Sequence, residues 1–264
     1  MKNNFLMWGE RGLVTTFLLD LSSLKTPSNF SNFLEIIELA DGKKINFKPQ
    51  KIKCIVEPDF GNKGFGHPDA LILFENTDQE KILIFFEAKI KTYNQYNKNR
   101  GEEKFNSSIN GQLELNHRLT IALSKFASGN GILKEPSWIA KTDYINERYK
   151  ELRILKDKKV IEKIVKPIVD LKINNRNYYH IILTNDYTNP LLTEKNLPQL
   201  FDENNKDRWS DLKTNFGWIN FKNLKQFAEK YFENGEFLDT LDLNSDPLRY
   251  VIVEDPNNSE NPSA

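Results

Sequence analysis

Two short motifs place two acids and a base where they can act together. Pro68-Asp69 opens one apolar run and Glu87-Ala88-Lys89 closes the next, inside GHPDALILFENTDQEKILIFFEAK, Gly66 to Lys89. Side chains alternate faces along a strand, so Glu87 and Lys89 share one side while Ala88 points to the other. The polar connector Asn76 to Glu80 is consistent with a hairpin, which returns the Glu87 end to Asp69. Two carboxylates about 4 Å apart repel by roughly 4 kcal/mol at an effective dielectric of 20, so they do not both stay ionised unaided. Lys89 offsets part of that repulsion, and a divalent cation can offset the rest. With one cysteine, Cys54, and three histidines, His67, His117 and His180, a thiolate or imidazole metal site is not expected. Oxygen ligands are left, which suit Mg2+ or Mn2+.

The acid-x-Lys triplet is not specific by itself. Asp41-Gly-Lys43, Glu102-Glu-Lys104, Asp157-Lys-Lys159, Asp170-Leu-Lys172 and Asp211-Leu-Lys213 also satisfy it, and Pro58-Asp59 is a second Pro-Asp pair. None of the other triplets closes a run like KILIFF. Strands are expected at Lys51 to Val56, Ala70 to Phe74 and Lys81 to Ile90, each dense in Ile, Leu, Val or Phe and bounded by turn residues. A helix precedes them from Trp8 to Leu21, with Leu13, Val14, Phe17, Leu18 and Leu21 at helical spacing and Glu10 in its first turn. A second helix is expected from Ser108 to Ala127, with Leu113, Leu119, Ile121, Ala122, Leu123 and Phe126 facing the core, then a strand at Tyr178 to Thr184. Residues 132–177 read as a helical insertion. After Asp186 a loop-rich segment leads to an amphipathic helix near Phe221 to Phe232 and a short strand at Tyr250 to Val253.

In residues and in order, this pattern resembles the PD-(D/E)XK nuclease superfamily. The resemblance implies an α/β restriction-endonuclease-like fold, an αβββαβ core with a central mixed sheet flanked by helices. It covers residues 1–186, including the insertion; residues 187–253 are expected as an extension packed on that core, and 254–264 as a disordered tail. Carried over by position, Asp69, Glu87, the Ala88 carbonyl and Glu10 are metal ligands. Lys89 orients and activates the attacking water, and Gln112 assists from the following helix. Where RecB-like members carry a tyrosine four residues after that glutamine, this chain has Asn116. Each residue also has a plainer reading: Glu10 as an acid favoured by the helix dipole, Gln112 as a surface residue, and His67, placed before the Pro-Asp turn where it could touch phosphate, as a turn residue. Packing or surface duty is expected of His117, His180 and Cys54.

The implied activity is metal-dependent phosphodiester hydrolysis, by a DNA endonuclease of a restriction or other anti-phage defence system. The competing expectation is a catalytically inactive member that uses the same fold to bind nucleic acid or a protein partner. The chain has 37 basic and 37 acidic residues, so net charge does not argue for a polyanionic partner. Local charge is uneven: Lys141 to Arg176 carries eleven basic against six acidic residues, read first as a solvated lysine-rich helix face and second as a DNA groove, while Asp186 to Ala264 carries eight against fifteen. Beside the motif, Lys91, Lys98 and Arg100 alternate with Tyr93 and Tyr96, a set suited to phosphate contact and base stacking. A homo-oligomer is compatible with the sequence. The longest apolar run, Ile82 to Phe86, is far short of the roughly 18 residues a membrane helix needs. No secretory leader is evident, so a reducing cytoplasm is expected.

Overall fold

Apolar runs bounded by breakers become the centre of a six-stranded mixed sheet in the computed structural model. It describes residues 9–58, 68–90, 109, 111–113, 115–117, 119–120, 177–193, 213–233 and 235–248. The strands are β1 (Glu38–Leu39), β2 (Lys51–Val56), β3 (Ala70–Glu75), β4 (Lys81–Ala88), β5 (Tyr178–Thr184) and β6 (Phe216–Asn220). Their spatial order is β1-β6-β5-β4-β3-β2. β2, β3 and β4 form an antiparallel meander, β4, β5 and β6 run parallel, and β1 closes the other edge antiparallel to β6.

The β3–β4 hairpin is made by Asn76, whose Oδ1 accepts the Glu80 N–H at 2.8 Å while its own N–H donates to the Glu80 carbonyl at 3.0 Å. β4 ends at Ala88, two residues before the expected Ile90. Lys89 N–H still donates to Leu183 O at 2.8 Å, but the Ile90 N–H leaves the ladder for the Glu10 carboxylate.

One sheet face is covered by α1 (Gly9–Ser23), α2 (Pro27–Glu35), α3 (Phe221–Tyr231) and α4 (Glu236–Leu248). Ile72, Phe74, Ile84, Phe86, Ile181 and Ile219 meet the helical residues Leu13, Phe17, Phe33 and Phe227 there in one continuous core. Phe17 lies among Phe33, Phe227, Phe232 and Phe237 with ring centroids 5.2 to 6.4 Å away, which fixes α1 against the other three helices. Two hydrogen bonds hold α1 to α4: Gly9 N–H to Asn244 Oδ1 at 2.7 Å and Phe237 N–H to Asp20 Oδ2 at 2.8 Å. α3 is capped by Asn220, whose side chain accepts the Asn223 N–H at 2.6 Å.

The opposite face carries Ile182, Phe216 and Trp218, covered by Ile109 and Leu113. The described residues between 109 and 120 are helical, as expected. His180 is buried on this face between Phe85 and Phe216, with centroids at 5.2 and 5.1 Å, so of the two duties expected for it, packing or surface, it has packing.

Four elements have no counterpart in the expected string: α2, β1, β6 and α4. The sheet also runs across the boundary drawn at residue 186. β6 lies parallel to β5 inside the sheet, and α4 packs on α1, so residues after 186 supply part of the central layer as well as its covering. The insertion 132–176, the strand at 250–253, the tail 254–264, His67 and the set Lys91, Tyr93, Tyr96, Lys98 and Arg100 lie outside the described residues. No helix among the described residues is long and apolar enough to cross a membrane.

Candidate functional site

Register brings the two motifs together. Ala70 pairs with Phe86, so the next step along the antiparallel ladder sets Asp69 opposite Glu87. Ala70 and Ala88 belong to the helix-covered core, so Asp69 and Glu87 project to the other face. A hydrogen bond fixes the pairing: Ala88 N–H donates to Asp69 Oδ2 at 2.7 Å. Glu87 is 2% exposed and its register partner on β5 is Ile182, the residue covered by Ile109 and Leu113. Gln112, half-buried on that helical stretch, therefore sits on an element lying over the Glu87 face.

α1 lies against the opposite face, yet its first turn passes the end of β4. There Glu10 Oε1 accepts the Ile90 N–H at 3.0 Å, across 80 residues of sequence. Its second oxygen, Oε2, is 3.6 Å from Lys89 Nζ. The same ammonium nitrogen is 2.8 Å from Glu87 Oε1, 4.0 Å from Asp69 Oδ2 and 2.8 Å from the Ala88 carbonyl oxygen. Three carboxylates and one backbone carbonyl, drawn from α1, the turn before β3 and the end of β4, thus converge on one positive charge.

Their electrostatics follow from burial. Desolvation pushes the Glu87 carboxyl up to about 8, helped by the Asp69 charge and opposed by Lys89. Asp69 is raised as well, mainly by burial, with Lys89 and the Ala88 N–H opposing and Glu10 and Glu57 adding. Burial by itself would lower Lys89, but Glu87, Asp69 and Glu10 together outweigh it and hold the ammonium above its ordinary value. Lys89 is therefore a cation across the neutral range.

The donor set has the chemistry of a divalent-ion site. All four donors are oxygens, which suits magnesium or manganese, and Glu87 Oε2 is a buried atom with no hydrogen-bond partner. Against that, no group of three or more His, Cys, Asp or Glu side chains among the described residues is arranged as a metal ion requires. The Lys89 ammonium lies among the same oxygens. The chemistry of the donors fits an ion; their spacing is that of an ammonium site.

Two neighbours were not singled out in the sequence. Glu57 follows β2 and, by continuation of the Val56–Ala70 pairing, stands opposite Asp69; its N–H donates to the Asp69 carbonyl at 2.9 Å. Its φ is 45°, a left-handed conformation that costs a non-glycine residue about 1 to 2 kcal/mol. Its carboxylate forms an ion pair with Arg11, Oε1 to Nε at 2.5 Å, and Arg11 is the α1 residue next to Glu10. No sequence signal marks them: Glu57 is found only through the register of β2 on β3, carried one step beyond both strands, and Arg11 through its ion pair with Glu57.

No family model, no curated protein and no solved structure matches the chain.

Proposed function

We propose that this chain is a magnesium- or manganese-dependent nuclease of the PD-(D/E)XK type that hydrolyses phosphodiester bonds. Within that reading it is a cytoplasmic DNA endonuclease of a restriction or other anti-phage defence system. DNA and defence rest on the sequence resemblance. The observation that carries the chemistry is the gathering of Asp69, Glu87, Glu10 and the Ala88 carbonyl around Lys89 Nζ, every one within 4.0 Å.

Asp69, Glu87, the Ala88 carbonyl and Glu10 would hold the ion. When bound, such an ion supplies Lewis-acid polarisation of the phosphate oxygens. The remaining work belongs to the chain. Glu10 is anchored by the Ile90 N–H and Asp69 by the Ala88 N–H, so neither carboxylate has to be ordered when substrate arrives. Lys89, held as an ammonium, donates hydrogen bonds; it can orient the attacking water and offset charge building on the phosphate. The two carboxylates opposite each other across β3 and β4 keep that lysine in place.

Incubating the protein with plasmid and Mg2+ is expected to give cleavage. Asp69→Ala and Lys89→Ala should each lose about 10²-fold or more, the usual effect of removing one preorganised electrostatic group. A wild type that binds nucleic acid but never cuts it would instead favour a catalytically inactive binding module. The observation on that side is the Lys89 ammonium lying among the ligand oxygens.

A further inference from the structure

The Arg11–Glu57 pair at the rim of the site has no part in the chemistry assigned above. We propose that Arg11 is the contact for the substrate phosphate and that Glu57 is its positioning residue, an inference that rests on the nuclease reading and names how the site takes hold of its polyanion.

Three observations carry it. Arg11 follows Glu10 in the first turn of α1, so a backbone already tied to the site through the Ile90 N–H also carries the guanidinium. Glu57 pairs with that guanidinium at Nε, and the Arg11 side chain is 77% exposed, so much of the guanidinium is open to solvent. A fork presented this way matches the paired oxygens of a phosphate.

Glu57 is placed for this task by its backbone. Its left-handed φ of 45° turns the chain out of β2, while its N–H keeps the Asp69 carbonyl bonded at 2.9 Å. One residue thereby fixes both the guanidinium and the chain position of Asp69. Charge gives the arrangement a purpose. Asp69, Glu10 and Glu57 crowd acidic side chains around the site, more than Lys89 offsets, and Asp69 feels the charge of Glu57. A phosphodiester approaching them is drawn in more readily where a cation stands at the entrance, and Arg11 places one there. A surface ion pair at these exposures contributes little to folding, so the strain at Glu57 has no obvious return in stability.

The test uses the full chain and fluorescein-labelled 20-mer oligonucleotides, single-stranded and duplex. Anisotropy titrations in EDTA over a range of NaCl concentrations give affinity and salt slope, and Mg2+-dependent cleavage of the same oligonucleotides gives kcat and KM. Arg11→Ala is expected to weaken binding roughly tenfold or more and to flatten the duplex salt slope by about 0.9, the loss of one phosphate contact. In cleavage it should raise KM more than it lowers kcat. Arg11→Lys keeps the charge and should recover part of the affinity, and Glu57→Gln should weaken binding by a few fold. Far-UV circular dichroism and urea midpoints matched to wild type confirm that the variants fold. If wild type cuts and Arg11→Ala keeps its affinity, salt slope and KM, the role of Arg11 is refuted and the nuclease reading stands. If wild type neither binds nor cuts either oligonucleotide, both are refuted.

Discussion

Replacing Glu87 by glutamine isolates the energetic cost of holding a charged carboxylate inside the sheet. The Glu87 carboxyl titrates near 8 in the folded chain against an ordinary 4.5, and it is fully buried. Below about pH 4.5 folded and unfolded chains both carry the proton. Between 4.5 and 8 the unfolded chain has lost it while the folded chain keeps it, so the folded state binds more protons and stability falls as pH rises. Above 8 the fall levels off. A shift of this size corresponds to a loss on the order of 3 to 5 kcal/mol across the window. Lys89 does not alter the slope there, because its raised value lies above the ordinary 10.5 and it stays protonated throughout. Asp69, also raised, adds a fall of the same sign that begins nearer the ordinary 3.8. Glutamine keeps the shape and cannot ionise. Urea unfolding in EDTA at pH 5 and pH 8.5 should therefore show wild type losing several kcal/mol more than Glu87→Gln between the two. Millimolar Mg2+ at pH 8.5 should restore wild type, since it binds the ionised form, and leave Glu87→Gln largely unchanged. If the stabilities of wild type and Glu87→Gln run parallel from pH 5 to 8.5, burial is not what governs this carboxyl, and the electrostatic description of the site is wrong.

Other perturbations bear on how the site is held. Phe17→Ala removes the ring around which Phe33, Phe227, Phe232 and Phe237 pack, and should cost about 3 to 5 kcal/mol in chemical denaturation. Gly217→Ala would put a Cβ 2.7 Å from Ile181 Cδ1 and 3.1 Å from both Ile37 and Leu39; a loss of about 1 to 3 kcal/mol in urea is expected from that overpacking. Glu10→Gln keeps an oxygen for the Ile90 N–H but removes a charge 3.6 Å from Lys89, so activity with Mg2+ should fall while the urea midpoint moves little.

The sheet was legible where its strands announce themselves. KIKCIV, ALILF and YYHIILT are dense apolar runs between breakers, and each became the strand expected of it, β3 being longer by one residue. β6 was not legible, because FGWIN is five residues long with a glycine at its second position. That glycine is there for packing: Ile181, Ile37 and Leu39 occupy the space a side chain would need. α4 hides behind acids and polar residues in EFLDTLDLNSDPL, and α2 is nine residues with an Asn/Ser-rich surface. Both helices are held by tertiary burial, which local composition does not display.

Within the site, Asp69, Glu87 and Lys89 followed from strand alternation and a hairpin, two local rules. Glu10 did not follow from either. Its convergence depends on how α1 lies across the end of β4, and only the family resemblance pointed to it. Arg11 and Glu57 needed the register of β2, which a sequence does not reveal. Lys89 was expected beside the acids, but its distance from each of them was not, since alternation gives the face of a side chain and not the reach of a lysine.

The sharpest test is crystallographic: crystals grown with Mn2+ and measured for anomalous scattering. One peak is expected between Asp69, Glu87, Glu10 and the Ala88 carbonyl, with oxygens at about 2.1 Å and the Lys89 ammonium displaced from its place among them. Saturating Mn2+ with no peak there, and Lys89 still seated against Glu87, would contradict the assignment of these residues as a metal-dependent centre.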